Sequence, residues 1–356
     1  MKTKYSIIAF LLFLIFFIGT FAFSQEKNTP PEENGAFVAS DFILEHIADS
    51  HEWHILTYKK EGKDKNLVIP LPVILYSKEA GLTIFWSTKL AYGNIYKGFK
   101  LEEEGELKGK IVAVNDKKEV DEKNLPLDFS ITKAVVAMLC AALIGLFLFI
   151  SMARSYKKAG VSAPKGIQSF LEPVILFVRD DIAIPNIGHH KYEKYMPYLL
   201  TVFFFILINN LMGLVPFPPP FGANVTGNIA VTFVLAASTF LITQFSGNKA
   251  YWRHIFATPG VPIWLLPIMI PVELIGIISK PFALMIRLFA NITAGHIIVL
   301  SLVCLIFIFH SIAVAPVSIL FVIFMDCLEL LVAFLQAYVF TLLSALFISL
   351  AVQEHH

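Results

Sequence analysis

The chain has 356 residues, of which 56% are hydrophobic, and its mean hydropathy is +0.70. This composition excludes an ordinary soluble domain and indicates a polytopic membrane protein. The formal net charge is +1, so bulk electrostatics give no reason to expect nucleic-acid binding.

The first 24 residues have the three regions of a secretory signal peptide. Lys2 and Lys4 form a basic start, residues 5–20 form an apolar core, and the small residue Ser24 precedes the expected cleavage point. An uncleaved anchor span is the alternative. Either interpretation sends residues 25–128 across the membrane and predicts an extracytoplasmic N-terminal region.

This N-terminal region is expected to be small and only partly ordered. Two short runs, at 68–75 and 82–86, favour β-strands, while the stretch 102–123 is rich in charge. We therefore expect a minor β-containing part outside the membrane.

Metal and cofactor sites are not predicted. His51, Glu52 and His54 lack the His-Glu-x-x-His spacing of a helix-borne zinc site, so we interpret them as exposed surface. The cysteines lie in apolar runs without metal-ligand spacing, and we interpret them as packing residues. They are Cys140, Cys304 and Cys327.

Residues 131–152 form the first predicted span after the N-terminal region, since about 20 apolar residues cross a bilayer. Basic residues follow it, namely Arg154, Lys157, Lys158 and Lys165. The positive-inside rule therefore places this loop in the cytoplasm. Residues 170–184 are too short and too charged to cross, and they favour an amphipathic helix on the cytoplasmic face. A connecting loop with one helical turn is the alternative.

Residues 196–215 and 228–245 are the second and third predicted spans. The loop between them is rich in Pro and Gly and has no Lys or Arg, as expected of an outer loop. Lys249 and Arg253 then mark a second cytoplasmic loop. Because the two inner loops agree, the predicted topology has an outer N-terminus and a cytoplasmic C-terminus.

The runs at 261–309 and 316–352 are much longer than the ~20 residues that an upright span needs. They predict two long, strongly tilted helices packed as a hairpin and covered by a large partner. Ordinary spans with interfacial extensions are the alternative. The expected fold is an all-α membrane protein with about five transmembrane helices. Its predicted divisions are 1–24, 25–128 and 129–356.

Glu273, Lys280 and Arg287 share the i, i+7 spacing that places residues on one stripe of a helix. A charge at the centre of a bilayer costs roughly 2.5–3.5 kcal/mol on insertion scales, and an arginine cannot lose its proton. Arg287 must therefore face protein, water or a carboxylate. The topology places Glu273 and Lys280 on its cytoplasmic side, and Asn291 and His296 on its outer side.

On the last run, Glu329 lies in the outer half and Gln336 lies deeper. We expect His296 to meet Glu329 across the hairpin. For Asp326, structural pairing and a functional role are both open, and Lys280 either lines a channel or reaches the cytoplasmic interface.

A fixed cation flanked by titratable groups at different depths blocks a direct proton path and favours the ionised form of a nearby carboxylate. The pattern predicts two half-channels and a carrier carboxylate on another chain.

Three longer motifs carry a resemblance. Residues 209–216 read Asn-Asn-Leu-Met-Gly-Leu-Val-Pro, and 286–296 read Ile-Arg-Leu-Phe-Ala-Asn-Ile-Thr-Ala-Gly-His. Residues 328–343 read Leu-Glu-Leu-Leu-Val-Ala-Phe-Leu-Gln-Ala-Tyr-Val-Phe-Thr-Leu-Leu. Together they resemble subunit a of F-type ATP synthases, and the resemblance covers residues 130–352.

The resemblance implies a non-catalytic stator subunit of the membrane sector, in the cell inner (plasma) membrane. Its two half-channels would load and unload the carboxylates of the rotor c-ring. The other implied partners are subunit b of the peripheral stalk, the rest of the complex and the lipid bilayer. Proton is the favoured coupling ion because His296 can titrate near neutral pH, and sodium stays an alternative.

The resemblance also assigns roles. Arg287 matches the essential stator arginine, and Glu273 matches a carboxylate of the cytoplasmic half-channel. The outer half-channel is matched by Asn210, Asn291, His296, Glu329 and Gln336. Many bacterial relatives carry the acid at position 296 and the histidine at 329, so the exchange in this sequence argues that the two act together. Gly213 stands where some relatives have an acid, and we assign no relay there.

A secondary transporter and an intramembrane metallohydrolase are the alternatives. The first predicts inverted repeats with broken helices in both halves, and the sequence lacks that symmetry. The second needs a cluster of metal ligands, for which His296 and Glu329 alone are too few. The sequence has no Gly-rich phosphate loop ending in Lys-Ser/Thr, so nucleotide binding is not predicted.

Overall fold

The computed structural model describes residues 39–60, 63–78, 80–102, 105, 107–115, 120, 124–159, 166–215, 220–256, 262–309 and 314–353. The predicted signal peptide at 1–24 lies outside the described residues. So do parts of the predicted loops, at 160–165, 216–219 and 310–313.

The N-terminal region begins with helix α1, Ala39–Ile47, and continues in seven short strands. They are β1 Glu52–Lys60, β2 Lys63–Pro70, β3 Pro72–Ser77, β4 Gly81–Trp86, β5 Phe99–Leu101, β6 Ile111–Ala113 and β7 Leu127–Asp128. They pair antiparallel in three small sheets, β1–β2, β4–β3–β7 and β5–β6.

The β-structure predicted at 68–75 is confirmed, but the structure divides it into two strands, β2 and β3, at Leu71. Pro70 and Pro72 flank Leu71, and neither can donate a ladder hydrogen bond. The Leu71 backbone bonds to Ser87 instead: its N–H donates to the Ser87 hydroxyl at 3.2 Å, and its carbonyl accepts from the Ser87 N–H at 3.0 Å. The predicted strand at 82–86 is confirmed as β4.

Five helices among the described residues are long and apolar enough to cross a membrane. They are α2 Lys133–Ala159, α5 Tyr192–Leu214, α6 Ile229–Ser246, α8 Leu266–Ile308 and α9 Ala315–Val352. They correspond to the five predicted spans, with ends shifted by a few residues. The mostly helical, multi-pass architecture is thus confirmed.

Helices α8 and α9 have 43 and 38 residues. At 1.5 Å per residue they are about 65 Å and 57 Å long, against a hydrocarbon thickness of about 30 Å. Helix α8 continues through Pro271 and Pro281, and α8 packs against α9. Two continuous long helices therefore form the predicted hairpin, while their tilt in a bilayer stays a prediction.

The segment predicted at 170–184 is helical, so the connecting-loop alternative is wrong. It comprises α3, Ile167–Phe177, a π-helical turn, Val178–Ala183, and α4, Ile184–Ile187. Its buried face includes Val178 and Ile182 and belongs to the main core with α5 and α9. Its position at a membrane surface stays a prediction. A further short helix, α7, Lys249–Phe256, occupies the second predicted cytoplasmic loop.

The main apolar core lies between α5, α8 and α9, where Phe203, Leu288 and Phe340 are fully buried. Cys304 is buried as predicted, but Cys327 is exposed, so its interpretation as a packing residue is wrong for this chain alone. An apolar side chain on that face of α9 requires lipid or a partner to cover it.

Candidate functional site

His296 on α8 and Glu329 on α9 meet across the hairpin, as the sequence predicted. The His296 Nδ1 and Glu329 Oε1 atoms are 3.5 Å apart, and the two side chains are only 20% and 8% exposed. Such burial strengthens their mutual electrostatic interaction relative to water. The pair joins the two long helices at one level.

The Glu329 carboxylate fits because residue 295 is a glycine. A Cβ atom at Gly295 would lie 2.4 Å from Glu329 Oε1 and 3.0 Å from its Cδ. Among the described residues, Glu329 Oε1 is buried without a hydrogen-bond partner. A buried oxygen of this kind is costly unless water or a proton reaches it.

Deeper along the hairpin, Asn291 and Gln336 also face each other. The Asn291 side-chain amide donates to Gln336 Oε1 at 3.0 Å. Gln336 is buried whereas Asn291 is exposed. This bond therefore extends polar contacts from the His296–Glu329 level towards Arg287.

Asn210 lies on α5 and is almost fully buried. Its amide donates to the Ala333 carbonyl of α9 at 3.2 Å, and its oxygen accepts from the Thr226 hydroxyl at 2.6 Å. It thus connects α5, α9 and the loop before α6, behind the Glu329 turn of α9.

Arg287 lies on the exposed side of α8, although its neighbours Leu284 and Leu288 are buried in the core. Within the described part of the chain, its guanidinium makes no hydrogen bond or ion pair. An arginine at this depth stays charged and needs an anion or water. Its exposed position leaves it accessible from outside this chain.

On the other side of Arg287 along α8, a cleft with a largely apolar wall lies between α6, α7, α8 and α9. Its wall includes Thr243, Gln244, Tyr251 and Lys280. The Gln244 amide donates to the Tyr251 hydroxyl at 3.1 Å. Burial raises the pKa of Tyr251 above its ordinary value, and the nearby charge of Glu273 adds to that rise. Lys280 therefore lines this cleft, and the charge of Glu273 acts on Tyr251 in its wall.

The two polar groups are separated along α8 by Arg287. At 1.5 Å per residue, His296 is about 13 Å from Arg287 along the axis, and Glu273 is about 21 Å away in the other direction. All seven predicted site residues are thus located. His296, Glu329, Asn291, Gln336 and Asn210 lie on one side of Arg287, and Glu273 lies on the other side.

The sequence interpretation missed several residues. Gly295 and Gly213 are important for the space they leave, and a Cβ at Gly213 would be 3.7 Å from His296 Nε2. The core also holds a hydroxyl chain that joins Tyr198 to Thr239 at 2.7 Å and Thr239 to Ser344 at 3.1 Å. In the sequence, the Gly-His dipeptide at 295–296 was the one feature that could have pointed to the role of Gly295. The hydroxyl chain had none, because its members come from three helices.

His51 was interpreted as exposed surface, and this is wrong. Its Nε2 lies 2.8 Å from Asp128 Oδ2, and its side chain is only 12% exposed. Among the described residues, no three His, Cys, Asp or Glu side chains come together as a metal site would require.

Comparison with known proteins identifies the membrane part. The family described as ATP synthase A chain matches residues 135–349. The chain belongs to this family. Residues 42–129 match a second family, described as a domain of unknown function (DUF8433).

Curated relatives agree with this assignment. ATP synthase subunit a of Chloroherpeton thalassium is 51% identical over 236 residues, which cover 64% of this chain and 69% of the relative. ATP synthase subunit a 2 of Chlorobaculum tepidum is 53% identical over 231 residues, covering 63% and 64%. ATP synthase subunit a of Myxococcus xanthus is 50% identical over 239 residues, covering 65% and 76%. The predicted membership in subunit a of F-type ATP synthase is confirmed.

Proposed function

We propose that this chain is the proton-conducting stator subunit of the ATP synthase membrane sector. It forms two half-channels that load and unload carboxylates on a ring of rotor subunits. The exposed Arg287, placed between two separate polar groups, is the observation that carries this proposal. The family's name and the relatives' names support the assignment to the complex.

The outer half-channel is assigned to His296, Glu329, Asn291, Gln336 and Asn210. Three contacts on α5, α8 and α9 support this assignment: His296 with Glu329, Asn291 with Gln336, and Asn210 with the Ala333 carbonyl. Titratable and amide side chains in a buried file can bind water and pass protons where hydrocarbon cannot. The set ends near Arg287, where a rotor carboxylate would take the proton.

The cytoplasmic half-channel is assigned to Glu273 and the cleft that Lys280 lines. Arg287 separates the two paths because a permanent positive charge repels a proton that would cross directly. The same charge favours ionisation of a carboxylate that passes it, so the rotor gives up its proton on one side and gains another on the other side.

The chain is proposed to be non-catalytic and to need no cofactor, because its work is proton transfer to a partner. The proposed partners are the rotor c-ring, subunit b of the peripheral stalk and the lipid bilayer. The proposed location is the cell inner membrane, with the region before 129 outside and the C-terminus in the cytoplasm. Family membership favours this function over a secondary transporter or an intramembrane hydrolase.

Sidedness tests the proposal. In a background lacking Cys140, Cys304 and Cys327, thiols placed at 296 and 329 should react with polar thiol reagents added from the outside. A thiol at 273 should react from the cytoplasmic side, in inverted vesicles. Leu320→Cys is the control, because Leu320 is 67% exposed on the apolar face of α9 and a thiol in hydrocarbon reacts slowly. Reaction of position 273 from the outside would contradict the assigned topology.

Gly295 offers a test of the outer pair with a matched control. Gly295→Ala puts a methyl group against the Glu329 carboxylate, so we expect assembled complexes with strongly reduced proton-driven ATP synthesis. Gly276→Ala, on the same helix, meets nothing within 4 Å and should leave activity near normal. In an open helical site alanine is even favoured over glycine, by roughly 0.5–1 kcal/mol. Equal activity of the two variants in reconstituted vesicles would show that the Glu329 position is not critical.

A further inference from the structure

The region that matches a domain of unknown function packs directly on the membrane helices. Helix α1 contacts α8. Trp53, in β1, is only 6% exposed and clusters with Ala137 of α2 and with Ala223 and Val225 of the loop before α6. A buried tryptophan is a strong apolar anchor, so the N-terminal region is docked and not merely tethered.

Hydrogen bonds fix its orientation at the start of α2. The Asp49 carboxylate accepts from the Ala134 N–H at 3.0 Å and from the Thr132 hydroxyl at 2.7 Å, which caps the helix. The Lys133 N–H donates to the Ser50 carbonyl at 2.9 Å, and the Ile131 N–H donates to a carbonyl of β3 at 3.1 Å. The end of α1 and the strand β3 are therefore both hydrogen-bonded to the N-terminal end of α2.

The docked surface lies near His296. Ala223 belongs to the Trp53 cluster, and its carbonyl oxygen lies 3.4 Å from the position that a Gly213 Cβ would take. That same position is 3.7 Å from His296 Nε2. The loop that packs on Trp53 therefore lies close to Gly213, and Gly213 lies close to His296.

A cation lies at the same junction. Lys133 Nζ is 3.4 Å from the His46 carbonyl of α1, and its charge acts on both Asp49 and His296. The charged and titratable groups within electrostatic reach of Lys133 are Asp49 of the N-terminal region and His296 of α8, and Glu329 lies 3.5 Å from His296. The charge of Lys133 contributes to the potential at the outer end of the candidate path.

The base of the N-terminal region can also hold water. A cavity of about 120 Å³ is lined by polar residues of the 49–52 stretch, including Asp49 and His51. That volume has room for several water molecules. Burial raises the pKa of Asp128, but hydrogen bonds with His51 and Ser130 outweigh it, so the pKa lies below its ordinary value and Asp128 stays ionised. This part of the N-terminal region therefore has charged side chains beside a cavity.

We propose that the described residues between 39 and 130 form an access cap on the outer half-channel. Trp53 and α1 hold the cap on α2, α8 and the loop before α6. Lys133 sets the electrostatic potential that a cation meets on its way to His296. The inference rests on the proposed function, since it takes His296 to lie in the outer half-channel.

The test measures how fast small reagents reach position 296 from the outside. Assembled complexes carry His296→Cys in the background without native cysteines, in intact cells. A cationic and an anionic methanethiosulfonate of similar size are compared at low and high salt. The test variants are Lys133→Gln and Trp53→Ala, and their matched controls are Lys100→Gln, on β5 of the same region, and Trp53→Phe.

Removing the Lys133 charge should raise the ratio of cationic to anionic labelling rates about tenfold at low salt, the smaller end of electrostatic steering effects. The change should shrink at high salt because the interaction is screened. Trp53→Ala should raise both rates by undocking the cap. Lys100→Gln and Trp53→Phe should leave both labelling rates equal to those of the protein with an unaltered cap.

Each result is decisive. Labelling from the outside at equal rates in all variants overturns the cap and leaves the proposed function standing. The lack of outer labelling in every variant contradicts the placement of His296 in the outer half-channel, and so contradicts the proposed function. If Trp53→Ala fails to assemble, the charge ratio in Lys133→Gln decides alone.

Discussion

Replacing His296 or Glu329 by alanine is expected to slow proton-driven ATP synthesis by on the order of a hundredfold, the lower end for a lost acid–base group. The two side chains lie 3.5 Å apart and both are largely buried, so removal of one leaves the other without its partner. Asp326→Asn, on the exposed side of the same α9 turn, should cause a much smaller loss.

The exchange of the pair is the sharper form of this prediction. His296→Glu alone places two acids together, and one of them must stay protonated. Glu329→His alone places two imidazoles together, which likewise disfavours a second charge. The double exchange restores one acid and one base in the space that Gly295 leaves, so it should recover more activity than either single change. Activity of the double variant no better than that of the singles would show that the residues do not act as a pair.

Much of the membrane architecture could be predicted from the sequence, because hydrocarbon thickness fixes the length of an apolar span. The five spans and the two overlong helices are examples. The meeting of His296 and Glu329 was also predictable, since the basic loops fixed the direction of each helix and hence the depth of each residue.

The remaining features depend on contacts that sequence spacing does not encode. Gly295 contributes empty volume, and the need for it becomes visible only when Glu329 is placed against it. The break at Leu71 follows from a bond to Ser87 in another element. The docking of Trp53 joins residues from three elements far apart in the chain. Tertiary packing decided each of these cases, and local propensity did not.

Replacing Arg287 by alanine is expected to abolish proton-coupled ATP synthesis. At an effective dielectric constant of about 20, two charges ~4 Å apart attract each other by roughly 4 kcal/mol. Without that attraction, a passing carboxylate keeps its proton. By the same figure, the ionised fraction of that carboxylate falls roughly a thousandfold. The exposed position of Arg287 on α8 makes it available to such a partner. Without the fixed charge, protons can also pass from one half-channel to the other.

Lysine should not substitute for Arg287. It keeps a positive charge, but it can lose its proton when desolvated and lacks the planar fork that holds a carboxylate. We therefore expect Arg287→Lys to fail in coupling, with less passive leak than Arg287→Ala. Arg253→Ala is the matched control, because Arg253 is an exposed arginine of α7, outside the five spans. It should assemble and synthesise ATP near normally.

The decisive measurement is ATP synthesis together with passive proton flux, in vesicles carrying assembled Arg287→Ala complexes under an imposed proton gradient. Assembly is verified first by recovery of the rotor ring and the soluble ATPase with the variant. The proposed function predicts no coupled synthesis and a raised passive flux. Synthesis at near-normal rates, with flux no higher than in the unaltered complex, would show that Arg287 is not the stator charge.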